Sequence, residues 1–258
     1  MRNTGIVAAV AAAVGLSVGA CGGGERAPEG GEQAATTTQA TGPMGDAVVM
    51  GTVKLTGTPP RNPRIDMAEE PKCRAKYPSA PANPVVVTGS GGGLANVFVY
   101  VKAGLPAGAQ YTAPTAPVAI DQDGCLYHPR VLGLMVGQPL EIRNSDSLLH
   151  NIKAVPASNR PFNISQPAAG MRTTRTFNTP EVMVPLECNV HGWMNAYVGV
   201  VTHPFHAVSG ENGSFTISGL PAGTYTIEAW HERFGTRTAT VTVAAGGSAT
   251  ADFTFAAQ

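Results

Sequence analysis

The sequence predicts an all-β fold, and three observations carry that prediction. No helix-period pattern of useful length appears after residue 46. Short runs rich in Val, Thr and aromatic residues recur instead. Between them lie turn signals, for which the chain has ample material in 31 Gly and 21 Pro. Many short strands with regular punctuation are the pattern of a β-sandwich or barrel.

The elements read in order. Arg2 and the small-residue apolar run Ile6 to Ala20 form a targeting segment too short for a confident spanning helix. It ends Val18-Gly19-Ala20-Cys21, which resembles a bacterial lipobox. That resemblance implies cleavage before Cys21 and lipid on its sulfur. Several acyl chains on one residue anchor stably, where a single chain is marginal. Residues 22–46 are Gly-rich and polar, cannot bury a core, and are expected to be a disordered tether. Strands are then expected at Val48 to Leu55, Leu94 to Val101, Pro139 to Arg143, Val182 to Cys188 and Ala196 to Thr202. Four more follow at Ser214 to Ile217, Thr224 to Trp230, Thr238 to Val243 and Ala249 to Phe255. The turns between them include Thr58-Pro59-Pro60, Gly89 to Gly93, Glu211-Asn212-Gly213 and Gly246-Gly247.

Net charge is zero and charged residues make up 13% of the chain, so no basic face recruits nucleic acid. The four cysteines sort by setting. Cys21 belongs to the lipobox. In an exported chain disulfides persist, and Cys73 and Cys125 sit in polar, loop-like surroundings suited to a bridge. Closing that loop contributes roughly 4 kcal/mol on the chain-entropy model. Cys188 is left over, and a free thiol in an oxidising compartment calls for a role such as metal ligation.

The C-terminal segment Gly210-Glu211-Asn212-Gly213-Ser214-Phe215-Thr216-Ile217, followed by Leu220-Pro221-Ala222-Gly223-Thr224-Tyr225, resembles the carboxypeptidase regulatory-like, or transthyretin-like, sandwich. Gly51-Thr52-Val53 and Leu94 to Val99 resemble the first two strands of that family. The stretch between the pieces is then an insertion, or a second domain sharing the sheet.

That middle stretch carries the chemistry. A turn and strand at Val136 to Asn144 lead to Ser145-Asp146-Ser147-Leu148-Leu149-His150-Asn151. Downstream comes Cys188-Asn189-Val190-His191-Gly192-Trp193-Met194. A thiolate and two imidazoles with a weak thioether on the axis describe a blue-copper site. Strand parity agrees, since Val184, Leu186 and Cys188 share one face. Asn144-x-Asp146-x-x-x-His150-Asn151 with Cys188-x-x-His191 is similar to the cupredoxins, the plastocyanin and azurin superfamily. The resemblance implies His150, Cys188 and His191 as equatorial ligands and Met194 as the axial one. It gives Asn151 a supporting role, tying the ligand loops by hydrogen bonds. It puts His191 at the solvent edge as the electron port, with Gly192, Trp193 and Met194 as its apolar rim.

The chain departs from the family in places. His191-x-x-Met194 is shorter than the plastocyanin spacing and resembles the copper loop of cytochrome oxidase. That dinuclear site has a second cysteine, and this loop has none, so one copper ion is expected. Met183, Met171, a backbone oxygen or an empty position are the axial alternatives. Each residue also has a plainer reading: His150 as a satisfied core histidine, Cys188 as a small buried hydrophobe, Met194 as core filler, Trp193 and Trp230 as packing aromatics. His231 with Glu232 could hold a second metal, but an exposed turn residue is the plainer reading.

The sequence therefore predicts a cupredoxin-like Greek-key sandwich combined with a transthyretin-like β-sandwich. The expected division is 1–20 signal peptide, 21–46 tether, 47–105 first strands of the transthyretin-like sandwich, 106–202 copper unit and 203–258 its remaining strands. The expected function is electron transfer through one copper ion, by a chain lipid-anchored to the periplasmic or outer face of a bacterial membrane. Its partners are a redox protein and the membrane, with no nucleic acid and no substrate turned over. Haem, zinc-protease, nucleophile-elbow and phosphate-loop motifs are missing from the sequence. The alternatives are a non-redox copper store, a structural module binding carbohydrate or protein, and a zinc site with an open position.

Overall fold

The computed structural model describes residues 42–257. The expected signal peptide, the expected lipidation site Cys21 and most of the expected tether lie outside the described residues. The described chain is all-β, with seventeen strands: β1 Ala47–Thr56, β2 Phe98–Ala103, β3 Val118–Asp123, β4 Leu126–His128, β5 Val131–Met135, β6 Leu140–Asn144, β7 His150–Ala154, β8 Phe162–Gln166, β9 Arg172–Arg175, β10 Glu181–Glu187, β11 Asn195–Val201, β12 His206–Val208, β13 Ser214–Leu220, β14 Gly223–His231, β15 Gly235–Val243, β16 Ser248–Thr250 and β17 Phe253–Ala256. A single helical turn, α1, spans Pro71–Arg74.

Two sandwiches result. In the first, β1 lies between β13 and the pair β16 and β17, and the facing sheet runs β12-β2-β14-β15. Alternate residues of these strands point inward, as a half-buried sheet requires. Val49, Val53 and Leu55 of β1 meet Val99 and Val101 of β2, Tyr225 and Ile227 of β14, and Phe253 and Phe255 of β17. In the second, the sheet β5-β11-β10-β7-β8 stands with the sheet β4-β3-β6-β9. Its core holds Ile120, Leu134, Leu140, Ile142, Ile152, Val184, Leu186, Val198 and Val200.

The sandwiches meet through Phe98, Tyr100, Val131, Met183 and Val201, with Tyr197 and Trp230 packed alongside. Gly133 on β5 and Gly199 on β11 are register partners. A Cβ at either would lie 2.4–2.5 Å from the Phe98 ring, so the pair leaves a slot that this ring fills. The Arg130 guanidinium closes the rim with two hydrogen bonds to the Glu232 carboxylate, both side chains only 8% exposed.

Some boundaries depart from the sequence reading. The strand expected from Leu94 begins at Phe98, because Asn96 takes a left-handed conformation at φ 60° and breaks the run. The strand expected over Ala249 to Phe255 is split, and Asp252 in the gap accepts hydrogen bonds from the Thr52 N–H and hydroxyl at 2.8 and 2.9 Å. Ile65, Met67 and Cys73, expected with the first sandwich, pack into the core of the second. Their apolar side chains and the disulfide draw that segment across.

Candidate metal centre

The centre forms where two strand ends of the second sandwich meet. His150 opens β7, and Cys188 follows β10 immediately. Loop 188–194 closes on itself: the Cys188 N–H donates to the Met194 carbonyl at 3.2 Å and the Met194 N–H to the His191 carbonyl at 2.9 Å. The His191 N–H donates to the Cys188 sulfur at 3.3 Å. The Asn189 N–H donates to Asn151 Oδ1 at 2.6 Å, tying this loop to β7. Asn144 shapes the turn before His150. Its amide donates to the Leu148 and Gln166 carbonyls at 3.0 and 2.8 Å, and its oxygen accepts the Asp146 N–H at 3.0 Å.

His150, Cys188 and His191 each offer a donor atom, and the three atoms lie within 4.8 Å of one another. The two Nδ1 atoms are 2.9 Å apart, and the Cys188 sulfur is 3.8 Å from His191 Nδ1. All three residues are buried. Burial pushes the Cys188 thiol up, yet hydrogen bonds from His191 and from the backbone amides of Asn151, His191 and Val190 outweigh it and hold the thiol below its ordinary value. One soft thiolate and two imidazole nitrogens within reach of one another are a donor set that could hold a copper ion, which would supply one-electron redox chemistry there.

Met194 is 1% exposed and packs in the same core as Cys188. Met183 does not: it belongs to the contact between the sandwiches, which removes it as an axial alternative. Met171 is half-buried and is in neither core.

Around the ligands stands a shell the sequence reading caught only in part. Asp146 is fully buried. One of its oxygens accepts from the Cys125 N–H at 2.7 Å and pairs with His150 Nε2 at 2.8 Å. The other accepts from the Gly124 N–H at 3.1 Å and from Lys76 at 2.6 Å. A carboxylate at Nε2 fixes the proton there and leaves the Nδ1 lone pair free for a metal. Burial pushes the Asp146 carboxyl up, but Lys76, the Cys125 amide and His150 together hold it below the usual carboxylate range. Tyr127, also buried, donates to the Asn151 carbonyl.

One expectation fails outright. The resemblance puts His191 at the solvent edge, whereas the structure leaves it 1% exposed. Cys73 and Cys125 are joined by a disulfide, and this bridge brings α1 over the imidazole. His191 Nε2 faces the Cys73 sulfur at 3.7 Å and the Glu70 carboxylate at 3.8 Å. An open groove lined by Pro71, Lys72, Leu148, Leu149 and Val190 runs beside this cover and is floored by Glu70 and His191. Glu70 and Lys76 lie far from the ligand motifs in the sequence, and nothing local to them marks the role. His231 is likewise no metal site: it is buried against Phe234, and Glu232 is taken by Arg130.

Fold and donor set together define an all-β chain of two sandwiches with a buried His–Cys–His cluster. More particularly, residues 194–256, which span β11 to β17, match the carboxypeptidase regulatory-like domain family. Among solved structures, a copper-containing nitrite reductase from Thermus scotoductus SA-01 is similar at 24% identity over 38% of this chain, with a TM-score of 0.31. This chain spans 25% of that enzyme's length. A purple cupredoxin from Nitrosopumilus maritimus is similar at 23% identity over 32% of this chain and 98% of its own, with a TM-score of 0.28. A mutant of amicyanin in its Cu(I) form, at 18% identity, covers 40% of this chain and 97% of its own, with a TM-score of 0.29. A comparison with curated proteins gave no match.

Proposed function

We propose that this chain binds one copper ion through His150, Cys188 and His191, with Met194 as the axial donor, and passes single electrons to and from a redox partner protein. The observation that carries the reading is the convergence of both Nδ1 atoms and the Cys188 sulfur in one buried space. Cys188 supplies the thiolate and His150 and His191 hold the geometry, while Asn151 and Asp146 fix the loops they sit on. No substrate is turned over. Cys21 carries lipid and anchors the chain to the periplasmic or outer face of a bacterial membrane. Adding copper(II) to the metal-free protein is expected to give intense visible absorption that Cys188→Ala abolishes. A colourless complex, as zinc-type or adventitious binding would give, overturns the reading.

The covering of His191 favours one rival, a copper-holding protein without a redox partner. A reversible couple with measurable electron self-exchange supports transfer, and a sluggish, poorly reversible one supports holding.

A further inference from the structure

If electrons pass through this site, they need a way to the surface, and His191, only 1% exposed, offers little of its own edge. The disulfide ties α1 down at Cys73, and Lys76 holds Asp146 at 2.6 Å just beyond, so the cover is anchored at two points. Two residues on from His191, Trp193 lies against the ligand with ring centroids 5.1 Å apart. Its indole N–H donates to the Cys125 carbonyl at 2.9 Å, which fixes the ring's orientation. The indole is half-buried, and its open part lines a surface depression with Asp66, Ala68 and Glu69. Among the described residues, Trp193 is the one aromatic side chain that touches a ligand imidazole.

We propose that Trp193 is the port through which electrons enter and leave the site. This rests on the electron-transfer reading above. The step is a one-electron exchange in which the oxidised site gains the electron that a reduced donor loses, or the reverse, and no bond or proton changes hands. The rival port is the groove of Leu149 and Val190, which also reaches His191.

The test uses the copper(II)-loaded chain and hexaammineruthenium(II) as electron donor, the copper site gaining the electron that the ruthenium loses. Trp193→Leu is expected to keep the visible absorption and potential but slow electron exchange roughly tenfold, about 1.4 kcal/mol of barrier. Trp193→Phe keeps an aromatic ring without the hydrogen bond and is expected to restore most of the rate. A Leu149→Ser variant in that rival groove is expected to exchange at the parent rate. A parent rate in Trp193→Leu, or the loss appearing in Leu149→Ser instead, overturns the proposal. So does loss of the absorption in both Trp193 variants, since the residue would then be structural. A second readout needs no metal. In a Trp230→Phe background, acrylamide is expected to quench Trp193 fluorescence, while diethyl pyrocarbonate leaves His191 unmodified. A readily modified His191 would return the port to the imidazole edge. Should the parent chain stay colourless with copper, the electron-transfer reading itself fails, whatever the accessibility shows.

Discussion

Asp146→Asn offers a demanding test of the site's architecture, because the substitution keeps the shape and changes only what the two terminal atoms can do. In the native chain both oxygens accept, one from Gly124 and Lys76, the other from Cys125 and His150. An amide has one oxygen and one NH2. Whichever way it turns, a donor pair confronts another donor inside a fully buried space. Lys76 is 34% exposed and can turn to water, so the cheaper orientation sacrifices the Gly124 and Lys76 side. The cost is then two orphaned donors, the Gly124 N–H and the new amide NH2, plus charge-assisted bonds reduced to neutral ones, together roughly 3–6 kcal/mol. Copper affinity is expected to fall about 10–100-fold, as happens when the partner of a ligating histidine is lost. Urea unfolding of the metal-free protein measures the first quantity, and competition against a chelator the second. The acid limb adds a check on sign. The folded carboxyl titrates below its unfolded counterpart, so its stabilisation is present above the ordinary carboxylate range and is lost as pH falls through the folded value. The amide variant should lack that component. Stability within about 0.5 kcal/mol of the parent, together with unchanged copper affinity, would refute the reasoning.

Two further outcomes follow, one from the contact between the sandwiches and one from the buried His231. Gly199→Ala puts a methyl group 2.4 Å from the Phe98 ring and is expected to cost about 1–3 kcal/mol by overpacking, whereas Gly199→Ala combined with Phe98→Leu should recover part of the loss; urea midpoints read both, and an unperturbed single variant would show that no slot exists. Burial, with Arg130 and Arg233 nearby, lowers His231 from 6.5 to about 4, so the unfolded chain takes up the proton first as pH falls. That stabilisation is full above about pH 6.5 and is lost on the way down to about pH 4, on the order of 3 kcal/mol. His206, also held at about 4 by burial, acts in the same direction. His231→Gln should flatten the loss in denaturant midpoints measured between pH 7 and 4, and an unchanged slope would count against the assignment.

The all-β class was legible because strands such as Val48 to Leu55 and Thr224 to Trp230 carry their alternation openly. β9, Arg-Thr-Thr-Arg, was not, since polar residues on both faces give no contrast, and β8, Phe-Asn-Ile-Ser-Gln, alternates over too few residues to stand out. β5, Val-Leu-Gly-Leu-Met, is too short and too uniformly apolar to show a period. The donor residues stood out for a chemical reason: Cys188 and His191 are three positions apart on one loop, and His150 sits in a polar setting that an ordinary core histidine would not need. The cover over His191 was invisible because it depends on a contact across 118 positions, from Cys73 to His191. The pairing of Cys73 with Cys125 could be read from their settings, but not that it would fall beside a ligand.

The connectivity of the first sandwich bears on how the chain acquires its shape. Val53 on β1 pairs with Phe253 on β17, two stretches separated by the whole second sandwich. Bringing them together from an open chain means closing a very long loop, and long-range pairing of this kind is slow. β2 and β12 change that arithmetic, because they flank the second sandwich in sequence and lie side by side, Phe98 opposite Val208. Once the inner unit has collapsed, its two exits are already adjacent, and the remaining closure becomes short. Assembly should therefore run from the inside outward, with the half that carries His150, Cys188 and His191 maturing before the strands that frame it.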